Sequence, residues 1–166
     1  MADRQIKGTV FSEFGEKTAP AIILIHGLGL NKDVWQWQVA ELSQHHRVVS
    51  YDLFGHGKSQ APPETPSLKL FADQTQMLMD YLGIEKAIII GFSLGGMIAR
   101  RLAQDAPHRI NGLVILHSPH QRSAAEREPG ELCADGQSGQ PAACAAGSPL
   151  PLRQRGRGRE RLVASR

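Results

Sequence analysis

Residues 88–96 read IIIGFSLGG, which sets Ser93 between Gly91 and Gly95 directly after a run of isoleucines. G-x-S-x-G between a strand and a helix is the pattern of a nucleophile elbow, a turn so sharp that a serine hydroxyl stands clear of the backbone. The turn holds the serine in a sparsely populated conformation and presses the residues two before and two after it against their neighbours. Glycine is therefore required at 91 and 95. Ser93 Oγ is expected at the carboxyl end of a sheet, near the positive end of the following helix, where it could attack an acyl carbon. Such an attack creates a tetrahedral oxyanion that needs two N–H donors. One is the amide of Leu94. A second segment, LIHGLGL (24–30), also leaves an apolar strand, and its glycines, Gly27 among them, let the backbone curl toward the same spot. Leu28 is the expected second donor. His26, at the end of that strand, is expected to shape the loop rather than act as a base.

These groups need a scaffold, and up to about Glu128 the pattern supplies one. AIILI (21–25), RVVSYD (47–52), KAIIIG (86–91) and GLVIL (112–116) are short apolar runs of the kind found in parallel strands covered on both faces. Between them, residues 68–82 place Leu68, Phe71, Thr75, Leu78, Met79 and Leu82 at helical spacing, with Ser67 to cap the start and Gly83 to stop the end. Further helices are predicted over about 33–43, with Trp35, Val39 and Leu42 on one side, and 95–105, ending before Pro107. Strand and helix in alternation predict an α/β fold, a mostly parallel sheet with helices on both faces.

The strand-H-G-L-G segment, the YDLFGHGKS turn (51–59) and GFSLGG followed by a small-residue helix occur in an order and spacing that resemble the α/β-hydrolase fold family, in its single-domain esterase, lactonase and C–C hydrolase branch. The resemblance covers about residues 6–120. It implies Ser93 as nucleophile, Leu28 and Leu94 as backbone oxyanion donors, and a histidine base oriented by an acid. It also implies a small-molecule acyl substrate, with no cofactor and no metal. Serine at this position argues against the branches that resemble epoxide hydrolases and haloalkane dehalogenases, which use aspartate there.

The chain departs from the family in one respect. The triad should run serine, acid, histidine, the last two on loops after later strands, yet all seven histidines precede residue 129. His117 and His120 lie just past GLVIL, beside the elbow, but lack an evident partner: Asp105 is expected on the wrong face and Glu126 in a polar stretch. Composition breaks at the same place. Residues 1–128 carry 13 Lys+Arg and 13 Asp+Glu, whereas 129–166 carry 6 Arg against 3 acids and account for the whole formal charge of +3. That segment has no Ile, Phe, Tyr, Trp, Met or Lys, and cannot bury enough apolar surface to offset the entropy of ordering it. The expectation is a partial α/β-hydrolase domain over 1–128 and a disordered tail over 129–166, the product of a shifted frame or artificial terminus. Activity would then be weak or absent and GLVIL left as an exposed edge.

Other classes are less well supported. GHGKS resembles the end of a P-loop, but the glycine that a Walker A motif needs six residues before Lys58 is Asp52, which is expected instead to fix its own turn. RQRGRGRER (153–161) resembles an arginine-glycine nucleic-acid tail, the alternative function, but has no interleaved aromatics to stack bases. Cys133 and Cys144 fit neither a zinc nor a redox pair and are expected as free thiols. The polar opening MADRQIKGTV and the short apolar runs predict no secretory signal and no membrane span, hence a cytoplasmic protein. Oligomeric state is not legible.

Overall fold

AIILI forms the centre of the sheet. In the computed structural model, which describes residues 3–118, strand β3 (Ala21–Ile25) is buried along its whole length between β4 (Arg47–Tyr51) and β5 (Ala87–Phe92), both parallel to it. β6 (Ile110–Leu116) runs parallel on the far side of β5. Two strands that the sequence did not announce, β1 (Arg4–Ile6) and β2 (Thr9–Phe14), complete the other side as an antiparallel hairpin, giving the order β1-β2-β4-β3-β5-β6. RQI is short and mostly polar, and TVFSEF is half polar without strict alternation, so their apolar content does not mark them. Their turn does carry a signal, since Lys7 (φ 44°) and Gly8 (φ 80°) both take the left-handed backbone that a two-residue hairpin requires. The sheet is therefore mixed and mostly parallel.

Alternation along the strands divides the core. Ile23, Ile25, Val49, Tyr51 and Ile89 pack on one face against Phe71, Leu78 and Met79 of helix α2 (Leu68–Tyr81) and Ile98 and Leu102 of helix α3 (Leu94–Asp105). Ile22, Leu24 and Val48 pack on the other face with Trp35 and Val39, Val39 belonging to helix α1 (Gln36–Leu42). The first turn expected of α1 is a 3₁₀ turn, Lys32–Trp35, capped by the Asn31 side chain, which accepts from the Asp33 amide at 2.9 Å. α1 follows β3 and α3 follows β5, so these two neighbouring parallel strands send their connections to opposite faces. A crevice forms at the carboxyl ends of strands at such a switch point, the usual ligand position in open α/β sheets.

β6 is the last strand of the sheet among the described residues, with Leu113, Val114 and Leu116 exposed. No helix among the described residues is long and apolar enough to cross a membrane. The tail with its cysteines and arginines, His120, Glu126 and the expected break near Glu128 all lie outside the described residues.

Helix α2 begins as its sequence predicts: Ser67 is extended, and its hydroxyl accepts from the Leu70 amide at 3.1 Å. Ser67→Ala should cost about 1 kcal/mol, read as a lower urea midpoint with an unchanged slope.

Candidate active site

Ser93 is the single residue between the end of β5 and the start of α3, and the fold bends there at the expense of its backbone, which sits at φ 52°, ψ −114°. A conformation of this kind costs a non-glycine residue on the order of 1–3 kcal/mol, and the surroundings over-determine it. A Cβ on Gly91 would overlap the Gly95 carbonyl and lie 2.7 Å from the Gly96 nitrogen. One on Gly95 would overlap the Ile25 carbonyl oxygen and lie 2.7 Å from that of His26. The helix therefore starts against the carboxyl end of β3, closer than any side chain permits. On the third side the Ser93 amide donates to the Leu116 carbonyl at 2.9 Å, which ties the turn to the end of β6.

Segment 26–30 reaches the same place. A Cβ on Gly27 would sit 3.0 Å from the Phe92 ring and 3.3 Å from Ser93 Cβ, so the backbone there passes directly beside the serine. Gly27 and Leu30 close a turn (Leu30 N–H to Gly27 O, 3.2 Å) that leaves Leu28 at its tip, 73% exposed. The Leu28 amide makes no hydrogen bond among the described residues. At the helix start, the Leu94 and Gly95 amides have no intrahelical acceptor by position.

His26 is fully buried, and both ring nitrogens are engaged: Nε2 accepts from the Leu53 amide at 3.0 Å, which assigns the proton to Nδ1 for donation to the Gly27 carbonyl at 2.8 Å. Burial lowers its pKa from the ordinary 6.5; the nearby His56, 5.3 Å away ring to ring, also lowers it, against the pull of the Gly27 carbonyl and Asp52. This histidine is a neutral strut between two loops. His56 is turned to its own loop, Nδ1 lying 3.0 Å from the Phe54 carbonyl oxygen. His117 takes a positive φ of 47°, is exposed, and sets its ring edge-on to Phe92 at 6.1 Å. Asp105 lies at the distant end of α3 and binds Arg101 at 2.7 Å. No histidine is hydrogen-bonded to Ser93 among the described residues.

Asp52 does more than fix its own turn. Its buried carboxylate accepts from the Lys32 amide (2.7 Å) and the Lys58 amide (2.9 Å), joining the loop after β3 to the loop after β4. An anion cradle at GHGKS is thus filled by the chain's own carboxylate. Two residues in this network were not singled out in the sequence. Gln74, on α2 and buried, accepts from the Phe54 amide at 3.1 Å and donates to Thr9 Oγ1 at 2.9 Å and the Asp52 carbonyl at 3.1 Å. Asp3 binds the ammoniums of Lys32 (2.8 Å) and Lys58 (2.6 Å), which hold its carboxyl well below the usual carboxylate range. A polar residue inside the helical repeat could have flagged Gln74. Nothing local marks Asp3.

The sequence model of the α/β hydrolase fold family matches residues 20–161, further along the chain than the motifs alone reach, and the chain belongs to that family. Over 109 residues it is 38% identical to the pimeloyl-acyl-carrier-protein methyl ester esterase of Proteus mirabilis (strain HI4320), covering 66% of this chain and 40% of that protein. It is 37% identical over 124 residues to epoxide hydrolase 4 of Mus musculus, covering 71% and 34%. Among solved structures, the enol-lactonase from Burkholderia xenovorans LB400 superposes with a TM-score of 0.62 at 35% identity, over 68% of this chain and 45% of that one. The chain spans less than half the length of each of these relatives.

Two measurements test this geometry. Gly95→Ala should destabilise the fold by about 3 kcal/mol or more, because backbone rather than a flexible side chain must give way; a urea midpoint within error of the wild type would mean that the helix does not approach β3 so closely. His26 binds a proton more weakly folded than unfolded. Its contribution is therefore complete above about pH 6.5 and lost as the pH falls from there. The urea midpoint should drop from pH 7 to pH 5, and by less in His26→Gln; equal drops in the two proteins would contradict the strut.

Proposed function

We propose that this chain carries the nucleophilic half of a serine-dependent acyl hydrolase, acting on a carboxylic ester or lactone through Ser93. The observation that carries this reading is the left-handed backbone of Ser93, held by glycine contacts on both sides at the switch point of the sheet. Nothing in packing alone calls for a side chain there, and the strain is explained if the hydroxyl is needed. In this reading Ser93 Oγ attacks the acyl carbon and the carbonyl electron pair moves onto oxygen. The Leu94 and Leu28 amides receive that oxyanion, with His26, Gly27, Gly91 and Gly95 holding the two backbones in place. Collapse expels the alcohol, and water then releases the acid from Ser93.

Esterase and lactonase relatives support the acyl class, while the epoxide hydrolase among them leaves similarity unable to choose. The residue type at 93 favours the acyl class. Epoxide opening in the enzymes that the family's other branch resembles uses an aspartate, whereas serine with amide donors suits carbonyl chemistry.

The Ser93 proton also needs an acceptor. Among the described histidines, His26 has spent both nitrogens and His56 is turned away. His45, His46 and His108 precede the amino ends of β4 and β6, at the opposite end of the sheet. His117 follows Leu116, whose carbonyl holds the Ser93 amide, but it packs on Phe92. Turnover by these residues alone is therefore slow; serine proteases stripped of triad members retain roughly 10³–10⁴-fold over water.

A fluorophosphonate should label the chain once, slowly, at Ser93, and Ser93→Ala should take no label. Labelling mapped elsewhere, or unchanged in Ser93→Ala, would remove the reading.

A further inference from the structure

Lys32 and Lys58 are gripped twice, by two different carboxylates. Asp52 holds their backbone amides, at 2.7 and 2.9 Å. Asp3 holds their ammoniums, at 2.8 and 2.6 Å, and its Oδ1 also accepts from the Ser12 hydroxyl at 3.2 Å. The loops after β3 and β4 are thus pinned together at one point from both ends of the same two residues. A few residues earlier they are pinned again, where His26 accepts from Leu53. Between the two pins, 27–31 has a single cross-turn hydrogen bond and an exposed side chain at its tip. The direction of the Leu28 amide therefore depends on where the two ends are held.

We propose that Asp3 is a positioning residue for the loop that presents the Leu28 amide: it acts through Lys32, and so sets the second oxyanion donor from the opposite edge of the sheet. This rests on the reading of Ser93 as nucleophile. The Lys32 side chain is only 6% exposed, and a buried ammonium is stable only with anionic partners. Asp3 and the more exposed Asp33 (2.8 Å) are those partners. With Asp3 neutralised, the Lys32 ammonium is left to Asp33, on the outer side, and is drawn toward solvent, pulling on the backbone that Asp52 alone then holds. Displacement of a catalytic group by about 1 Å can cost on the order of 10²-fold in rate, and complete loss of an oxyanion donor about 10²–10³-fold. A loosened loop should fall short of both.

The test uses the full chain. Asp3→Asn keeps the shape and removes the charge, Asp3→Glu restores the charge, and Ser67→Ala serves as a control destabilised far from the loop. Two quantities are read: amide hydrogen exchange over 27–31 and the rate of fluorophosphonate labelling at saturating reagent. The expected result for Asp3→Asn is faster exchange confined to 27–31 and labelling slowed about tenfold, with half-saturation unchanged. Asp3→Glu should recover at least part of the labelling rate, and Ser67→Ala should label as the wild type does. Unchanged exchange in Asp3→Asn overturns the proposal, as does faster exchange with unchanged labelling. So does a slowing matched by Ser67→Ala, which would make the effect one of stability alone. A wild-type chain that takes no label at Ser93 removes the reading of Ser93 itself, a failure distinct from these three.

Discussion

The start of α3 lies against the end of β3 with no room for a side chain between them. A Cβ at 95 would overlap the Ile25 carbonyl, and one at 91 the Gly95 carbonyl, so two glycines are required by contact with backbone rather than by turn preference alone. This close approach fixes the rest. It forces Ser93 to make the whole change of direction by itself, at φ 52°. It brings Gly27 beside the serine and places both segments at the crevice where β3 and β5 send their helices to opposite faces. A looser packing would let the turn spread over several residues, and the hydroxyl would lose its fixed direction.

Much of this was legible because the physics is local. AIILI and RVVSY are buried along their length, as strands between two layers of helices must be, GLVIL reads as apolar though β6 is partly exposed, and α2 shows its cap, stripe and stop within seventeen residues. G-x-S-x-G carries its own steric argument. The N-terminal hairpin was not legible: RQI lies at the sheet's edge, where polar residues are tolerated, and TVFSEF, between β1 and β4, lacks strict alternation and pairs with a partner about forty residues away. The 3₁₀ start of α1 escaped for a related reason, since the Lys32 amide is taken by Asp52 and the turn tightens to suit.

The polar network behind the site was the least legible part. Asp52 was expected to brace one turn and instead spans two loops, Gln74 shows only as a polar break in its helix's apolar stripe, and Asp3 carries no pattern at all. Carboxylate, ammonium and amide meet here from residues 3, 32, 52, 58 and 74, and such meetings are properties of the folded topology. Periodicity reports which face of an element is buried. It does not report which buried polar group finds which partner, although most must find one to be stable in the interior.

On the reading of Ser93 as nucleophile, the dihedral at residue 93 sets thermal robustness against chemistry. Glycine would occupy that backbone without strain, so the variant that relaxes the bend most is also the one that deletes the hydroxyl. Selection for a hardier fold, applied without regard to reactivity, would drive this position toward glycine, and any programme of stabilising the scaffold would have to hold it fixed.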